Sequence, residues 1–386
     1  MKHLFSLRSL MWVTGLVCLT VMAIPVSAQR KQSDVSPDDY VYWGSAVTYL
    51  NAQAKVAYPL IDRMLEANPP MVEVNNERQM ALVALDQFLH DADYSRRPAF
   101  YTFVNDRMAR STDKVDARML SGIRVVKLYN NGFIIKTLRN TVAVDVVPGG
   151  NNYKVLLSDS VIMEIVDRCD ALLITNSDSR HANRDVAKAF VDAGKTVYAP
   201  AGLWTNLGEG VAAVGADTVQ TMTIDGMTLY VLPGHNGNAK NNVYVMDFKG
   251  SGVVAHTGGQ DNDGDWTWID KIHEQYKVDI LLTKSQNLNL ESMLRGFAPR
   301  IVITSQENEM ESIVDKRESY WATQKRMQSL VGLNIPNVVM TWGEAYDYVT
   351  TTPWSKFPSA TKRLIDGVLY IERDGSVYTP AGVKVK

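Results

Sequence analysis

One short polar stretch concentrates the side chains of this sequence that could do chemistry. After the apolar run Ala171–Ile174, the chain carries Asn176, Asp178, Arg180 and His181 within six residues. A carboxylate and an imidazole can bind a metal ion or act as acid and base. A guanidinium has no lone pair to donate to a metal, but it binds carboxylates and phosphates. The stretch therefore predicts a functional loop at the end of a strand.

Three further polar groups also follow apolar runs: His235, the stretch Gly258 to Asp265, and the stretch Gln306 to Glu309. Loops at strand ends of an α/β scaffold converge on one pocket, so we expect these groups to meet. The candidate catalytic residues are His181, Arg180 and Asp178. The candidate ligand-binding residues are Asn176, His235, Gln306 and Glu307.

The elements that must position these loops alternate between strand and helix. Residues 123–147 are rich in β-branched and aromatic side chains and predict antiparallel strands joined by tight turns. Strands and helices then alternate, which predicts a layered α/β protein. The predicted helices are Ser158–Arg168, Asn183–Ala193, Trp266–Tyr276, Leu288–Arg295 and Ser319–Val331, and the predicted strands include Ala171–Ile174, Thr196–Ala199, Thr221–Leu232, Asn242–Phe248, Gly252–His256, Asp279–Thr283 and Ile301–Thr304.

Both ends of the chain differ from this middle region. Helical spacing of apolar residues over Tyr40–Ala67, Glu77–Leu89 and Ala99–Met108 predicts a helical extension. Strand patterns at Gly367–Glu372 and Ser376–Tyr378 predict a short β-like tail. The predicted organisation is residues 1–28 as signal peptide, 29–118 as N-terminal tail and helical extension, 119–350 as the main domain, and 351–386 as the tail.

The first 28 residues have the pattern of a secretory signal. Lys2 and Arg8 precede the apolar run Leu10–Ile24, and small residues end at Ala28, which predicts cleavage before Gln29. An uncleaved membrane anchor is the alternative, although the run is short for a span. We expect no stable membrane span after cleavage, and a periplasmic or secreted protein.

The charge of the chain and its cysteine content bear on two questions, whether it binds nucleic acid and whether it forms a disulfide. The chain has 40 basic and 42 acidic residues, and losing Lys2 and Arg8 leaves 38 against 42, a formal charge of −4. With this net negative charge, we expect no nucleic-acid partner. Cys169 is the one cysteine outside the signal peptide, so it cannot form an internal disulfide. Its position between a predicted helix and strand favours a buried, inert thiol over a nucleophile.

Four segments, taken in order, resemble the metallo-β-lactamase-fold hydrolase superfamily. They are NNGFIIKTLRNTVAVDVVPG from Asn130, DALLITNSDSRHANRDVAKAF from Asp170, LYVLPGHNGNAKNNVYVMDFKGSGVVAHTGGQDN from Leu229, and PRIVITSQENEMESIVDKRESYW from Pro299. The resemblance covers residues 123–342. It implies a metallo-β-lactamase-like αβ/βα sandwich carrying the helical N-terminal extension, and it implies hydrolase chemistry if the chain is an enzyme.

The resemblance also implies a degenerate metal-binding motif. The family pattern Thr-His-x-His-x-Asp-His is matched here by TNSDSRH, so Asn176, Asp178 and Arg180 replace two histidines and an aspartate, and His181 is kept. His235 falls near the next family histidine. Gly259 replaces the bridging aspartate and Gln306 the last histidine. A stable zinc site needs about four good ligands, so we expect no cofactor. If a metal binds, Asp178, His181 and His235 are its ligands, with zinc the alternative cofactor.

Several interpretations of these residues stay open at this point. Arg180 either supplies the positive charge that a metal would give, or it pairs with Asp178 and fills the pocket. His181 is either an acid–base group or a structural hydrogen-bonding residue, and Ser177 with His181 is a weak serine-hydrolase signal. The alternating aspartates Asp261, Asp263 and Asp265 do not match an EF-hand, so a solvated turn is favoured over a calcium site.

The favoured function is an exported protein with a degenerate metal site, a pseudoenzyme that binds a small or peptide-like ligand without metal-dependent hydrolysis. One alternative is an active hydrolase with a mono-metal or metal-free site. The other is a scaffold or interaction protein that makes its contacts through the extension.

Overall fold

The computed structural model describes residues 46–91, 98–149, 156–215, 217–287, 289–349, 361–365, 368–373, 376–379 and 384–385. The predicted signal peptide and polar tail and the start of the first predicted helix lie outside these residues, as does a turn that the sequence predicts at Asp374-Gly375. Nine α-helices are described: α1 (Ala46–Ala67), α2 (Asn76–Leu89), α3 (Pro98–Asp116), α4 (Asp159–Arg168), α5 (Arg184–Asp192), α6 (Trp266–Ile269), α7 (Ile272–Gln275), α8 (Leu290–Phe297) and α9 (Tyr320–Ser329).

The strands form two seven-stranded sheets and one small sheet. The first sheet has the order β14-β1-β2-β3-β4-β5-β6 and the second β13-β12-β11-β10-β9-β8-β7. Their bounds are β1 (Ile123–Lys127), β2 (Phe133–Lys136), β3 (Thr141–Val144), β4 (Ala171–Leu173), β5 (Thr196–Pro200), β6 (Val211–Val214), β7 (Gln220–Ile224), β8 (Met227–Asn236), β9 (Ala239–Phe248), β10 (Gly252–His256), β11 (Ile280–Lys284), β12 (Ile301–Ser305), β13 (Asn337–Val338) and β14 (Ala345–Tyr348). The small sheet comprises β15 (Thr361–Ile365), β16 (Val368–Arg373) and β17 (Ser376–Tyr378).

Alternation of side chains along the strands explains the layers. Alternate residues of β1, such as Ile123 and Val125, share one apolar cluster with Leu229 and Ile280 of the second sheet, so this cluster lies between the sheets. The opposite face of the first sheet packs against α1 to α5. The opposite face of the second sheet packs against α6 to α9. The layers therefore run helix, sheet, sheet, helix, and the predicted metallo-β-lactamase-like αβ/βα sandwich is confirmed.

Two predicted elements are divided in the structure. The predicted strand over 221–232 is a hairpin of β7 and β8, because Asp225 and Gly226 take positive φ values of 45° and 87° and form a tight turn. The predicted helix over 266–276 is broken between α6 and α7. The break is a tightened turn in which the Lys271 amide donates to the Trp268 carbonyl.

Buried charges join the N-terminal helices to the sandwich. Arg78 of α2 donates to both carboxylate oxygens of Glu344 at 2.9 and 2.7 Å, and neither side chain reaches solvent. Arg107 of α3 donates to the Trp342 carbonyl at 2.9 Å. Guanidinium groups of this kind can be buried because a carboxylate and backbone carbonyls accept from them; both terminal nitrogens of Arg78 are bonded in this way. The predicted extension is thus an integral layer of the fold. No helix among the described residues is long and apolar enough to cross a membrane.

Candidate functional site

The predicted loop after β4 lies at the edge where parallel strands end. β3, β4 and β5 pair in parallel, so their carboxyl ends reach the same edge of the first sheet. Asn176 accepts a hydrogen bond from the Asp178 amide at 3.0 Å, which folds the loop back on itself. Asn183 then caps α5 by accepting from the amides of Asp185 and Val186. Local turn chemistry therefore sets the shape of the loop.

Asp145, which directly follows β3, is the centre of the site. It is fully buried. Its carboxylate accepts from the Thr175 amide at 2.8 Å, from the Thr175 hydroxyl at 2.6 Å and from His181 Nδ1 at 2.7 Å. A buried carboxylate is stable only when it is paired and hydrogen-bonded. Asp145 therefore holds Thr175 and His181 in fixed orientations.

This contact decides what His181 can do. Because Nδ1 carries a hydrogen toward Asp145, Nε2 has the lone pair. That lone pair faces Asn131 Nδ2 at 3.3 Å. Asn131 is oriented in turn, since its Oδ1 accepts from Ser305 at 2.6 Å. A metal-ligating histidine usually has such a carboxylate behind it, but here an amide occupies the ligating direction, and His181 is 1% exposed.

Asp178 and Arg180 form a partly exposed ion pair, and we call this outer part of the site the rim. The guanidinium donates to the two carboxylate oxygens at 2.9 and 2.8 Å, and the side chains are 34% and 42% exposed. The hydrogen bonds from Arg180 lower the pKa of Asp178 to about 2. The same pairing raises the pKa of Arg180, with further contributions from nearby Glu309 and Glu311. The sequence left open whether Arg180 pairs with Asp178, and the structure places them together.

His235 lies on the other side of the site and is also engaged. Its Nδ1 is 3.1 Å from Asp265, which also accepts from Gln260 at 2.8 Å and from the Trp268 indole at 3.1 Å. Asp265 is 6% exposed. This aspartate is therefore a buried partner of His235, and the predicted solvated turn over 261–266 is wrong at Asp265.

Amides fill the floor between the two sides. Asn176 Nδ2 donates to Asn241 Oδ1 at 3.0 Å, and the Gly259 amide donates to the same oxygen at 2.9 Å. Asn241 Nδ2 donates to the Thr257 carbonyl at 2.9 Å. At Gly259, where the resemblance expects a carboxylate, an added Cβ would meet Asn236 Nδ2 at 2.8 Å. These amide groups are hydrogen-bonded to one another, and they occupy the space where the resemblance implies metal ligands.

In the predicted stretch from Gln306 to Glu309, Gln306 is partly exposed and Glu307 is buried. Gln306, with φ of 66°, donates its backbone amide to the Asn130 carbonyl and is partly exposed. Glu307 is 1% exposed and forms an ion pair with the buried Lys127. The predicted ligand-binding role of Glu307 therefore does not fit this structure, because its carboxylate is turned toward a cation on β1.

Sequence reasoning missed four residues of the site: Asn131, Asp145, Asn241 and Lys284. Lys284 ends β11 and donates to Asp261 at 3.1 Å and to the Gly259 carbonyl at 3.4 Å. The signal for Asp145 and Lys284 was their position, since both are charged residues at the ends of strands predicted to be buried. Asn131 and Asn241 are unremarkable in sequence because asparagine is expected in turns.

The groups present do not fit the metal that the resemblance implies. Among the described residues, no group of three or more His, Cys, Asp or Glu side chains is arranged to hold a metal ion. His181, Asp178 and His235 are each committed to a protein partner, and Lys284 is paired with Asp261.

At least one large cleft of the described structure lies away from this site. A cleft of about 400 Å³ lies between the ends of α1 and α3 and strand β14, with Arg124 and Asp347 in its wall.

His256, the remaining histidine beside the site, is buried, and both of its ring nitrogens face hydrogen-bonding groups of the backbone. Its Nε2 faces the Asn131 carbonyl and its Nδ1 accepts from the Gly258 amide, and burial lowers its pKa.

Comparison with known proteins yields similarity in structure but not in sequence. No family model and no curated protein sequence matches the chain. A metallo hydrolase from the archaeon Ignicoccus hospitalis KIN4/I matches 59% of this chain and 99% of its own, at 16% identity and a TM-score of 0.46. An isothiocyanate hydrolase from Delia radicum gut bacteria matches 59% of this chain and 100% of its own, at 14% identity and a TM-score of 0.45.

The metallo-β-lactamase fold protein YhfI from Bacillus subtilis matches 59% of this chain and all of its own, at 10% identity and a TM-score of 0.43. With TM-scores this low, the three likenesses carry no inference about the chemistry of this chain. The strand order and the layers of the chain's own structure establish the αβ/βα sandwich.

Proposed function

We propose that this chain is an exported, metal-independent binding protein. It takes a small or peptide-like ligand at the rim formed by Asp178 and Arg180, and it does not carry out metal-dependent hydrolysis. The observation that carries the proposal is the self-satisfied network: His181 faces Asn131, Asp178 pairs with Arg180, and Asn241 fills the floor.

A metal would have to break this network before it could bind. It would displace the Asn131 amide from His181 and separate Asp178 from its guanidinium, and each step leaves a polar group without a partner. The buried part of the site is therefore built for rigidity. A binding role is favoured at the rim, where Asp178 and Arg180 remain partly exposed.

The charge at the rim favours a ligand group that is positively charged. Arg180 is close to three carboxylates, those of Asp178, Glu309 and Glu311. Asp178 satisfies the guanidinium, while Glu309 accepts from the Tyr129 hydroxyl and the Ser312 amide. The pKa of Glu311 is raised by burial and by the neighbouring Glu309. An incoming ammonium or guanidinium group would relieve this repulsion between carboxylates.

The metal-free state is tested by elemental analysis and zinc titration. Mature protein purified without added metal is expected to contain far less than one zinc per chain and to take up none tightly at neutral pH. Near-stoichiometric zinc, together with a hydrolase activity that chelation removes, would overturn the proposal. N-terminal sequencing of protein from an exporting host tests the signal, and the expected first residue is Gln29.

Ligand binding at the rim is tested with short peptides of opposite charge. Tetralysine is expected to bind the mature chain more tightly than tetraglutamate in calorimetry, and Glu311→Gln should weaken tetralysine binding. Glu291→Gln is the matched control, because Glu291 is an exposed carboxylate on α8 paired with Arg295. If both variants bind tetralysine like the unmodified chain, the rim is not the binding surface.

The two alternatives make different demands. An active hydrolase that uses His181 predicts that His181→Ala abolishes turnover and leaves a folded protein, yet the ring is buried behind Asn131. A scaffold that acts through the extension predicts that mutations at the rim are silent. Because Arg78 and Arg107 are buried in the sandwich, surface substitutions on α1 to α3 test that reading better than deletion of the helices.

A further inference from the structure

A second group of buried polar side chains lies outside the candidate site. Thr304 and Glu307 stand at the end of β12, and Tyr320 and Gln324 stand on α9. We call these four residues the Tyr320 cluster. Their exposed fractions are 0%, 1%, 0% and 5%. The proposed function at the rim does not use this cluster.

Register brings the four side chains together. Val302 of β12 and Met327 of α9 belong to the same apolar cluster. Thr304 projects from the same strand face as Val302, and Gln324 and Tyr320 lie one and two turns before Met327 on one helix face. The start of α9 is held beside the residue that follows Glu307, because Asp86 accepts from Asn308 Nδ2 at 3.0 Å and from the Tyr320 amide at 2.9 Å.

Five polar atoms of the cluster have no hydrogen-bond partner among the described residues. They are Thr304 Oγ1, Glu307 Oε1, Tyr320 Oη and both amide atoms of Gln324. The other Glu307 oxygen is paired with Lys127, which also donates to the Thr304 carbonyl at 3.0 Å. The five atoms include donors and acceptors, but none of them forms a direct hydrogen bond with another. Buried groups in this situation are bridged by ordered water in folded proteins.

We propose that the Tyr320 cluster is an internal water-binding site. Ordered water there accepts from Tyr320 Oη, Thr304 Oγ1 and Gln324 Nε2 and donates to Glu307 Oε1 and Gln324 Oε1. The charges select water over ions. Lys127 already neutralises Glu307, which removes the attraction for a metal cation, and the Glu307 carboxylate repels an anion. The bound water completes the hydration of the buried Lys127–Glu307 pair.

Unfolding equilibria of Tyr320→Phe, Thr304→Val and the double variant test the site. If water bridges the groups, Tyr320→Phe removes one of its partners and raises the unfolding equilibrium constant about tenfold. The double variant should then be less destabilised than the product of the two single effects. If the atoms are dry, replacing an unsatisfied hydroxyl with hydrogen leaves the protein equally stable or more stable, and the proposal fails.

The control cycle combines Tyr320→Phe with Thr137→Val. Thr137 is buried at the turn between β2 and β3, and its hydroxyl accepts from the Asn140 amide at 3.0 Å, so the two effects should multiply independently. A crystal structure of the mature chain gives a readout that does not depend on the stability of any variant. Ordered water within hydrogen-bond distance of Tyr320 Oη and Glu307 Oε1 supports the proposal, whereas a direct bond between those two atoms overturns it.

Discussion

Replacing Asp145 with asparagine tests whether the site is held together by one buried carboxylate. The Asp145 carboxylate accepts three hydrogen bonds, from the Thr175 amide, the Thr175 hydroxyl and His181 Nδ1. An asparagine keeps the size of the side chain but turns one oxygen into an NH₂ group. That group would point its hydrogens at groups that also donate, so at least one donor loses its acceptor.

The size of the effect follows from those contacts. Hydrogen bonds to a charged group contribute about 1.5–3 kcal/mol each, and a buried donor left without a partner costs about 1–3 kcal/mol. With the Asp145 carboxylate wholly inside the protein, we expect Asp145→Asn to lower the free energy of unfolding by about 3–5 kcal/mol. Thr175→Val removes the hydroxyl, which donates to Asp145 and accepts from Asn176 Nδ2 at 3.3 Å, and leaves the other two bonds to Asp145 in place, so we expect it to cost about 1–2 kcal/mol.

Urea unfolding of the mature chain, followed by tryptophan fluorescence and circular dichroism together, measures these changes. Asp217→Asn is the matched control, because its carboxylate is 91% exposed and its pair with Lys240 lies at the surface. A surface pair of this kind contributes about 0–1 kcal/mol. If Asp145→Asn unfolds within about 1 kcal/mol of the control variant, the inference that Asp145 organises the site is wrong.

Three further outcomes are expected. Glu344→Gln should lower the free energy of unfolding by about 3–5 kcal/mol in urea titration, because it leaves the buried Arg78 guanidinium without its carboxylate, and Arg78→Met should restore part of the loss in the double variant. Asp178→Asn should cost at most about 1 kcal/mol at neutral pH, since the pair is partly exposed. Arg180 lowers the pKa of Asp178 in the folded chain to about 2. The stabilisation by this pair is therefore present above the unfolded pKa of about 3.9 and is lost as the pH falls toward 2. In urea titrations at successively lower pH, the free energies of unfolding of Asp178→Asn and of the unmodified chain should therefore converge. Burial raises the pKa of Cys169 to about 12, so iodoacetamide should leave the native thiol unmodified at mildly alkaline pH and alkylate it in urea, as read by mass spectrometry.

Local sequence patterns were enough to predict the layered architecture. Alternating and helical spacing identified most strands and helices, because each pattern reflects which face of an element is buried. The stretch from Asn176 to His181 could be placed at a strand end for the same reason. The substituted residues also predicted, through the resemblance, that a metal would lack ligands.

Tertiary structure alone decided what those residues contact. Asp145 and His181 are 36 positions apart, and Arg78 and Glu344 are 266 apart. No periodicity connects such pairs, because a hydrogen bond depends on distance in space and on the direction of a lone pair. The sequence could offer Arg180 as either a ligand-binding cation or a partner of Asp178. Only the folded chain shows the pair formed, Glu307 turned to Lys127, and the lone pair of His181 facing an amide.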